Sequence, residues 1–80
     1  MNKILKATAL PNGRLHVALQ DGRYGEFDVK PFMKTDFFAK LKDESYFQQV
    51  RLFFSGVGWP DGQDIGPDTV ASHLTITTLS

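Results

Sequence analysis

Two tight-turn signals constrain the N-terminal third of the chain more than any other feature. Pro-Asn-Gly at 11–13 and Asp-Gly at 21–22 each contain a glycine, which adopts positive φ at little cost. The segment between them alternates with period two and places Leu15, Val17 and Leu19 on one face. With further apolar residues on both flanks, this pattern predicts a three-stranded antiparallel meander that ends at residue 29.

The third strand of this meander carries an irregularity. Tyr24 and Phe27 are out of phase for a flat strand, and Gly25 lies between them. An extra residue at Gly25 would restore the alternation, so we expect a β-bulge there.

Helical signals begin after Pro31. Thr35 and Asp43 are typical N-cap residues, and apolar residues follow at helical spacing. Farther on, Gly66-Pro67 opens another helix, because proline at the first helical position loses no backbone hydrogen bond. The sequence therefore predicts two or three short helices.

A second hairpin is predicted before the last helix. The period-two alternation returns from residue 50, and Ser55-Gly56 is suited to a tight turn. Arg51 and Phe53 share one face of the first strand. Leu52 and Phe54 lie on the other face, which we expect to point inward.

These elements indicate an α+β fold in the order β-β-β-α-β-β-α. A small antiparallel sheet, built from the meander and the hairpin, is covered mainly on one face by the helices. We expect one domain over residues 1–80, with 75–80 as a loose tail or an extra strand. Hydrophobic residues make up 41% of the chain, which is enough for a core. The expected core consists of Leu15, Val17, Leu19, Phe27, Val29, Phe38, Leu41, Phe47, Val50, Leu52, Val57, Trp59 and Val70.

No catalytic residue, cofactor or metal site is expected. The chain has no cysteine, and His16 and His73 lie far apart without a second ligand nearby. Asp61, Asp64 and Asp68 form an acidic loop, but their spacing does not match a calcium-binding loop. We expect turn and cap roles for these carboxylates, with Asp64 accepting backbone N–H groups.

The charge is neutral overall but unevenly distributed, since eight of the nine basic residues precede residue 43. These residues are dispersed and have no aromatic stacking motif between them, so direct nucleic-acid binding is not expected. No segment approaches the roughly 18 apolar residues of a membrane span, and no signal peptide is visible. A cytoplasmic location is therefore the expectation.

Phe53 lies on the face of Arg51 instead of the expected inward face. Either a helix covers it, or Phe53 and Arg51 belong to an exposed contact surface. An open sheet edge beside such an apolar residue attracts strand addition, from another small protein or from a second copy of the chain.

The sequence run at 59–65, Trp-Pro-Asp-Gly-Gln-Asp-Ile, is the most distinctive motif. With the spaced hydrophobic residues before it, this run resembles the DUF2442 family of small bacterial proteins over about residues 5–74. The resemblance implies an α+β fold, a bacterial or phage source, a cytoplasmic location and no established activity. The motif residues that we expect to be structural are Trp59, Pro60, Gly62, Asp64 and Pro67.

Proteins of this family are often encoded beside another small protein, which implies one half of a toxin–antitoxin-like pair. We therefore expect a non-enzymatic protein-interaction module, the antitoxin-like member of such a pair. Two alternatives stay open: an accessory nucleic-acid-binding or regulatory domain, and a small enzyme with an unrecognised site. Clustered lysines would favour the first alternative. A cleft with a perturbed carboxylate near His16 or His73 would favour the second.

Overall fold

A computed structural model describes residues 2–76, and the α+β class predicted from the sequence is confirmed. The strands are β1 (Ile4–Leu10), β2 (Arg14–Leu19), β3 (Tyr24–Asp28), β4 (Arg51–Phe53), β5 (Gly56–Gly58), β6 (Asp64–Ile65) and β7 (Thr75–Ile76). The helices are α1 (Asp36–Ala39), α2 (Glu44–Phe47) and α3 (Pro67–Ser72), with single 3-10 turns at Lys30–Phe32 and Lys40–Lys42.

The N-terminal meander forms as predicted. β1 pairs with β2 and β2 pairs with β3, both in antiparallel orientation. Asn12 and Gly13 have φ of 67° and 69° in the first turn, and Gly22 has φ of 97° in the second. Asn and Gly tolerate this left-handed region best, which is why both turns are visible in the sequence.

The bulge predicted at Gly25 is wrong. The register of β2 with β3 runs through Gly25 without a shift, and the irregularity lies in β1 between Ile4 and Lys6. Glycine is needed at position 25 for another reason, because β7 pairs with β3 at this point and approaches its backbone closely. A Cβ atom on Gly25 would overlap the backbone oxygen of Thr75.

The strands form two sheets, whereas one was expected. The meander and β7 make a four-stranded sheet in the order β1-β2-β3-β7, and β4, β5 and β6 make a three-stranded sheet. β6 and β7 contain two residues each, too few for the alternation of a strand to be visible in the sequence. The first part of the expected tail is thus an extra strand, and its residues 77–80 lie outside the described part of the chain.

The predicted helix starts are confirmed. The side chain of Thr35 accepts the backbone N–H of Phe38 at 3.3 Å, and that of Asp43 accepts the N–H of Ser45 at 3.0 Å. Pro67 occupies the start of α3, where its missing N–H is not needed.

Most of the predicted core is buried, and Phe38 and Val50 pack against it half-buried. The prediction that Leu52 belongs to the core is wrong, since 47% of its surface is exposed. Phe54 was expected to point inward, but 86% of its surface is exposed. The cause is local: β4 is an edge strand that is exposed along its whole length. The core residues that the sequence did not indicate are Ile4, Met33, Tyr46 and Ile65.

Candidate functional site

The loop that follows β5 contains the distinctive Trp-Pro-Asp-Gly motif and anchors the small sheet. Trp59 is almost fully buried, and its indole Nε1 donates to the backbone oxygen of Phe47 at 2.9 Å. The two rings also pack together with centroids 5.6 Å apart. Pro60 is exposed at the start of the loop, and Gly62 has φ of 103°, which favours glycine. These contacts tie the loop to α2.

A buried glutamine completes this anchor. Gln63 is the one buried polar residue of the described chain, and its amide oxygen accepts the hydroxyl of Tyr46 at 2.6 Å. Its Nε2 donates to the backbone oxygen of Phe37 at 2.9 Å. The Tyr46 oxygen also accepts the backbone N–H of Asp61 at 2.7 Å. Buried polar groups are stable only when paired, so this network positions the loop.

The three acidic residues of the loop do not share a partner within residues 2–76. Asp61 forms an ion pair with Lys40, and the Asp68 carboxylate accepts the side-chain amide of Asn2 at 3.0 Å. Asp64 is exposed, and within residues 2–76 its carboxylate accepts no hydrogen bond. The expected role of Asp64 as acceptor of backbone N–H groups is therefore wrong. Gln63, its neighbour, makes the contacts that hold the loop.

The ion pair between Lys40 and Asp61 is exposed, but it changes the pKa of the Lys40 ammonium. The hydrogen bond to the Asp61 carboxylate raises the pKa of Lys40 above its ordinary value. The Lys40 ammonium also lies 4.6 Å from the centre of the Tyr46 ring. Both contacts place Lys40 over the outer side of the Tyr46 network.

The two histidines do not line the cleft between the β1–β2 turn and α2. The rings of His16 and Tyr24 have centroids 6.1 Å apart, and His73 Nδ1 lies 3.0 Å from the backbone oxygen of Thr69. Within residues 2–76 no carboxylate is hydrogen-bonded to either ring. The cleft, of about 440 Å³, is lined by Leu10, Asn12, Gly13, Lys30, Met33, Leu41, Lys42, Glu44 and Phe47.

Many of the basic side chains are engaged with acidic ones. The four ion pairs of the described chain are Arg14–Glu26, Arg23–Asp21, Lys30–Asp28 and Lys40–Asp61. In the second pair the backbone N–H of Arg23 lowers the pKa of Asp21 below its ordinary value, and the guanidinium group adds to this effect. Half of the basic residues before residue 43 are thus neutralised locally.

The hairpin of β4 and β5 carries Arg51 and Phe53, the residues predicted to form a contact surface. Arg51 is exposed, and 41% of the surface of Phe53 is exposed. Phe53 lies against Gly58, where a Cβ atom would come within 3.2 Å of the Phe53 ring carbon Cγ. Glycine at this position therefore leaves room for the aromatic side chain.

The turn of this hairpin differs from the prediction. Phe53 pairs with Gly56, so the turn consists of Phe54 and Ser55 and not of Ser55 and Gly56. Both turn residues have positive φ, 46° for Phe54 and 69° for Ser55. Two-residue hairpin turns of this kind favour Asn and Gly, because other side chains are strained there.

The hairpin turn lies against the beginning of the meander. The backbone N–H of Ile4 donates to the oxygen of Ser55 at 2.9 Å, which joins β1 to the turn. Leu5, the next residue of β1, is half-exposed. We call Leu5, Leu52, Phe53 and Phe54 the hairpin surface.

Sequence reasoning identified only one of these four residues. Leu52 was expected in the core and Phe54 on the inward face, because the strand was assumed to continue to residue 54. The signal that could have identified them is the run of three consecutive large apolar residues, Leu52, Phe53 and Phe54. Such a run cannot point entirely inward from a strand, since successive side chains alternate between its two faces.

No helix within residues 2–76 has the length and apolar character needed to cross a membrane. Searches of curated proteins and of solved structures find no match to the chain. A family model described as a protein of unknown function, DUF2442, matches residues 4–74, a segment that runs from the start of β1 past the end of α3. It includes both the hairpin and the loop of Trp59. Because the match covers most of its length, the chain belongs to the DUF2442 family.

Proposed function

We propose that this protein is a non-enzymatic protein-interaction module and that its hairpin surface binds another protein. The observation that carries the proposal is Phe54, which is 86% exposed and has a left-handed backbone. A bulky side chain in this conformation destabilises the fold, by roughly 1–2 kcal/mol for a residue that is neither Gly nor Asn. A large exposed aromatic side chain at a position where it destabilises the fold favours a role in binding another protein.

The surroundings of Phe54 support the same function. Its ring contacts that of Phe53 at a centroid distance of 4.5 Å, so the two form one aromatic ridge. Leu52 precedes Phe53 on β4, and Leu5 lies on β1, which the turn contacts. Clustered exposed apolar residues are typical of protein-binding sites, where a few large side chains supply most of the binding energy.

A more specific proposal concerns the gene that encodes the partner. Family resemblance suggests the antitoxin-like member of a two-gene pair in the bacterial cytoplasm, so the product of the neighbouring gene is the first partner to test. A small interaction surface on a domain without a recognised catalytic group is compatible with this role.

The experiment uses a charged substitution on the hairpin surface and a matched substitution elsewhere. Phe53→Asp should abolish capture of the neighbouring gene product by the tagged chain, while circular dichroism still reports a folded domain. Phe37→Asp is the control, because Phe37 is a half-exposed phenylalanine on α1. If both variants capture the product as the parent does, the hairpin surface is not the binding site. If Phe53→Asp unfolds the chain, Phe54→Asp replaces it, since Phe54 has far less contact with the fold.

A further inference from the structure

β4 presents a backbone edge that is paired on one side. Within residues 2–76 it pairs only with β5, and Phe53 opposes Gly56 next to the turn. In a two-residue hairpin the residues that flank the turn exchange hydrogen bonds, and the next residue directs its N–H and C=O outward. Leu52 is that residue. The outer edge therefore offers one donor and one acceptor to an added strand.

Three basic residues surround the hairpin surface. Arg51 lies at one end of β4, and Lys3 and Lys6 lie on either side of Ile4 and Leu5 at the other end. None of these three basic side chains takes part in an ion pair within residues 2–76. The partner surface should therefore carry negative charge, because complementary charges favour association.

Asp64 is the acidic residue of the small sheet. It pairs with Gly58, which in turn pairs with Arg51, so the two charged residues stand two strands apart. At roughly 4.8 Å between neighbouring strands, their backbones are about 10 Å apart. Within residues 2–76 the two side chains form no ion pair. The Arg51 charge remains available at the outer edge.

A second copy of the chain is a poor occupant of this edge. Pairing of β4 with its own copy would bring two sets of unpaired basic residues together, and like charges oppose association. A strand of three residues also provides far less than the roughly 1,200 Å² that a stable interface buries. An extended acidic segment avoids the repulsion between like charges, and its side chains can also contact Phe53 and Phe54 beyond the strand edge.

We propose, building on the function proposed above, that the hairpin surface binds an extended segment of another protein rich in apolar and acidic residues. The segment adds to β4 as a new edge strand, and its backbone pairs with the N–H and C=O of Leu52. Its apolar side chains contact Phe53 and Phe54. Its carboxylates lie near Arg51 and Lys3.

Nuclear magnetic resonance of the full ¹⁵N-labelled chain tests this binding mode. The probes are three synthetic peptides in which valine alternates with glutamate, with glutamine or with lysine. The glutamate peptide should bind most tightly and the lysine peptide most weakly. The Leu52 amide signal should move and its exchange with solvent should slow, because it gains a hydrogen-bond acceptor.

Matched variants separate charge from apolar contact. Arg51→Gln should weaken binding of the glutamate peptide about two- to fivefold, the effect of one exposed ion pair, and leave the glutamine peptide unchanged. Lys34→Gln is the control, because Lys34 is an exposed lysine outside the hairpin surface. Phe54→Asn should weaken binding of both peptides.

Three results would overturn the inference. If all three peptides bound the parent equally and Phe54→Asn bound none of them, the proposed preference for acidic segments would be wrong. The interaction function would then remain supported. Signal changes that spare Leu52 would exclude strand addition. Binding to phosphatidylglycerol vesicles without a response to any peptide would assign the surface to a membrane, and the interaction function would then fail as well.

Discussion

The hydroxyl of Tyr46 donates to the amide oxygen of Gln63 at 2.6 Å, and both side chains are buried. The same hydroxyl oxygen accepts the backbone N–H of Asp61, while Gln63 reaches the backbone of Phe37. One pair of side chains thus joins the loop after β5 to the helical segment. The loop in turn supports the small sheet that presents the hairpin surface.

Removal of the Tyr46 hydroxyl should destabilise the fold. Tyr46→Phe leaves the Gln63 oxygen and the Asp61 N–H without their partner, which should lower the free energy of unfolding by about 1–3 kcal/mol. Urea unfolding measures this change. Because Gln63→Leu removes the other half of the pair, the double variant should lose less than the sum of the single losses. Strictly additive losses would show that the two side chains do not interact.

Truncation of Trp59 should have the largest effect. Trp59→Ala should lower the free energy of unfolding by about 3–5 kcal/mol, because a large buried aromatic side chain leaves a cavity. Trp59→Phe should be less severe, since it retains much of the packing and loses the bond to Phe47. A melting temperature of Trp59→Ala within a few degrees of the parent would contradict the burial of this residue.

Substitution of Asp64 should be nearly neutral. Asp64→Ala should change the free energy of unfolding by no more than about 0.5 kcal/mol, as expected of an exposed side chain without a special contact. The neighbouring Gln63→Ala should lower it by about 1–3 kcal/mol, because a buried hydrogen-bonded group is removed. Chemical denaturation of the two variants side by side checks the contrast. A larger loss in Asp64→Ala would restore Asp64 as the residue that holds the loop.

Local signals made the meander and the helix starts predictable. Asn12, Gly13 and Gly22 occupy left-handed turn positions, and Thr35 and Asp43 cap helices through their own side chains. Each of these features is set by residues close together in sequence. A single sequence therefore carries the information that is needed.

The features that were missed depend on contacts between distant residues. Gly25 is required by the approach of β7, about fifty residues later, and Gln63 is buried because Tyr46 and Phe37 offer partners. The exposure of Leu52 follows from the position of β4 at a sheet edge, which strand order decides. Phe53 was identified because its phase conflicted with an inward strand. Phe54 was missed because the turn was placed one residue too late.

Strain at the hairpin turn leads to a prediction about stability. Phe54→Asn and Ser55→Gly each replace a strained residue by one that tolerates positive φ, so each should raise the free energy of unfolding by about 0.5–1 kcal/mol. Thermal unfolding followed by circular dichroism measures both. If both variants were destabilised, the backbone of Phe54 and Ser55 would not have positive φ.

The most direct test of the interaction function compares these two variants in binding. Isothermal titration calorimetry with the purified product of the neighbouring gene measures this binding. Ser55→Gly should bind with the same affinity as the parent, because its turn geometry and its exposed aromatic residues are unchanged. Phe54→Asn should bind at least about tenfold more weakly, as expected when an aromatic residue that dominates an interface is removed. We therefore expect Phe54→Asn to be more stable than the parent and to have lost most of its binding. Parent-like affinity in Phe54→Asn would contradict the proposed role of the hairpin surface.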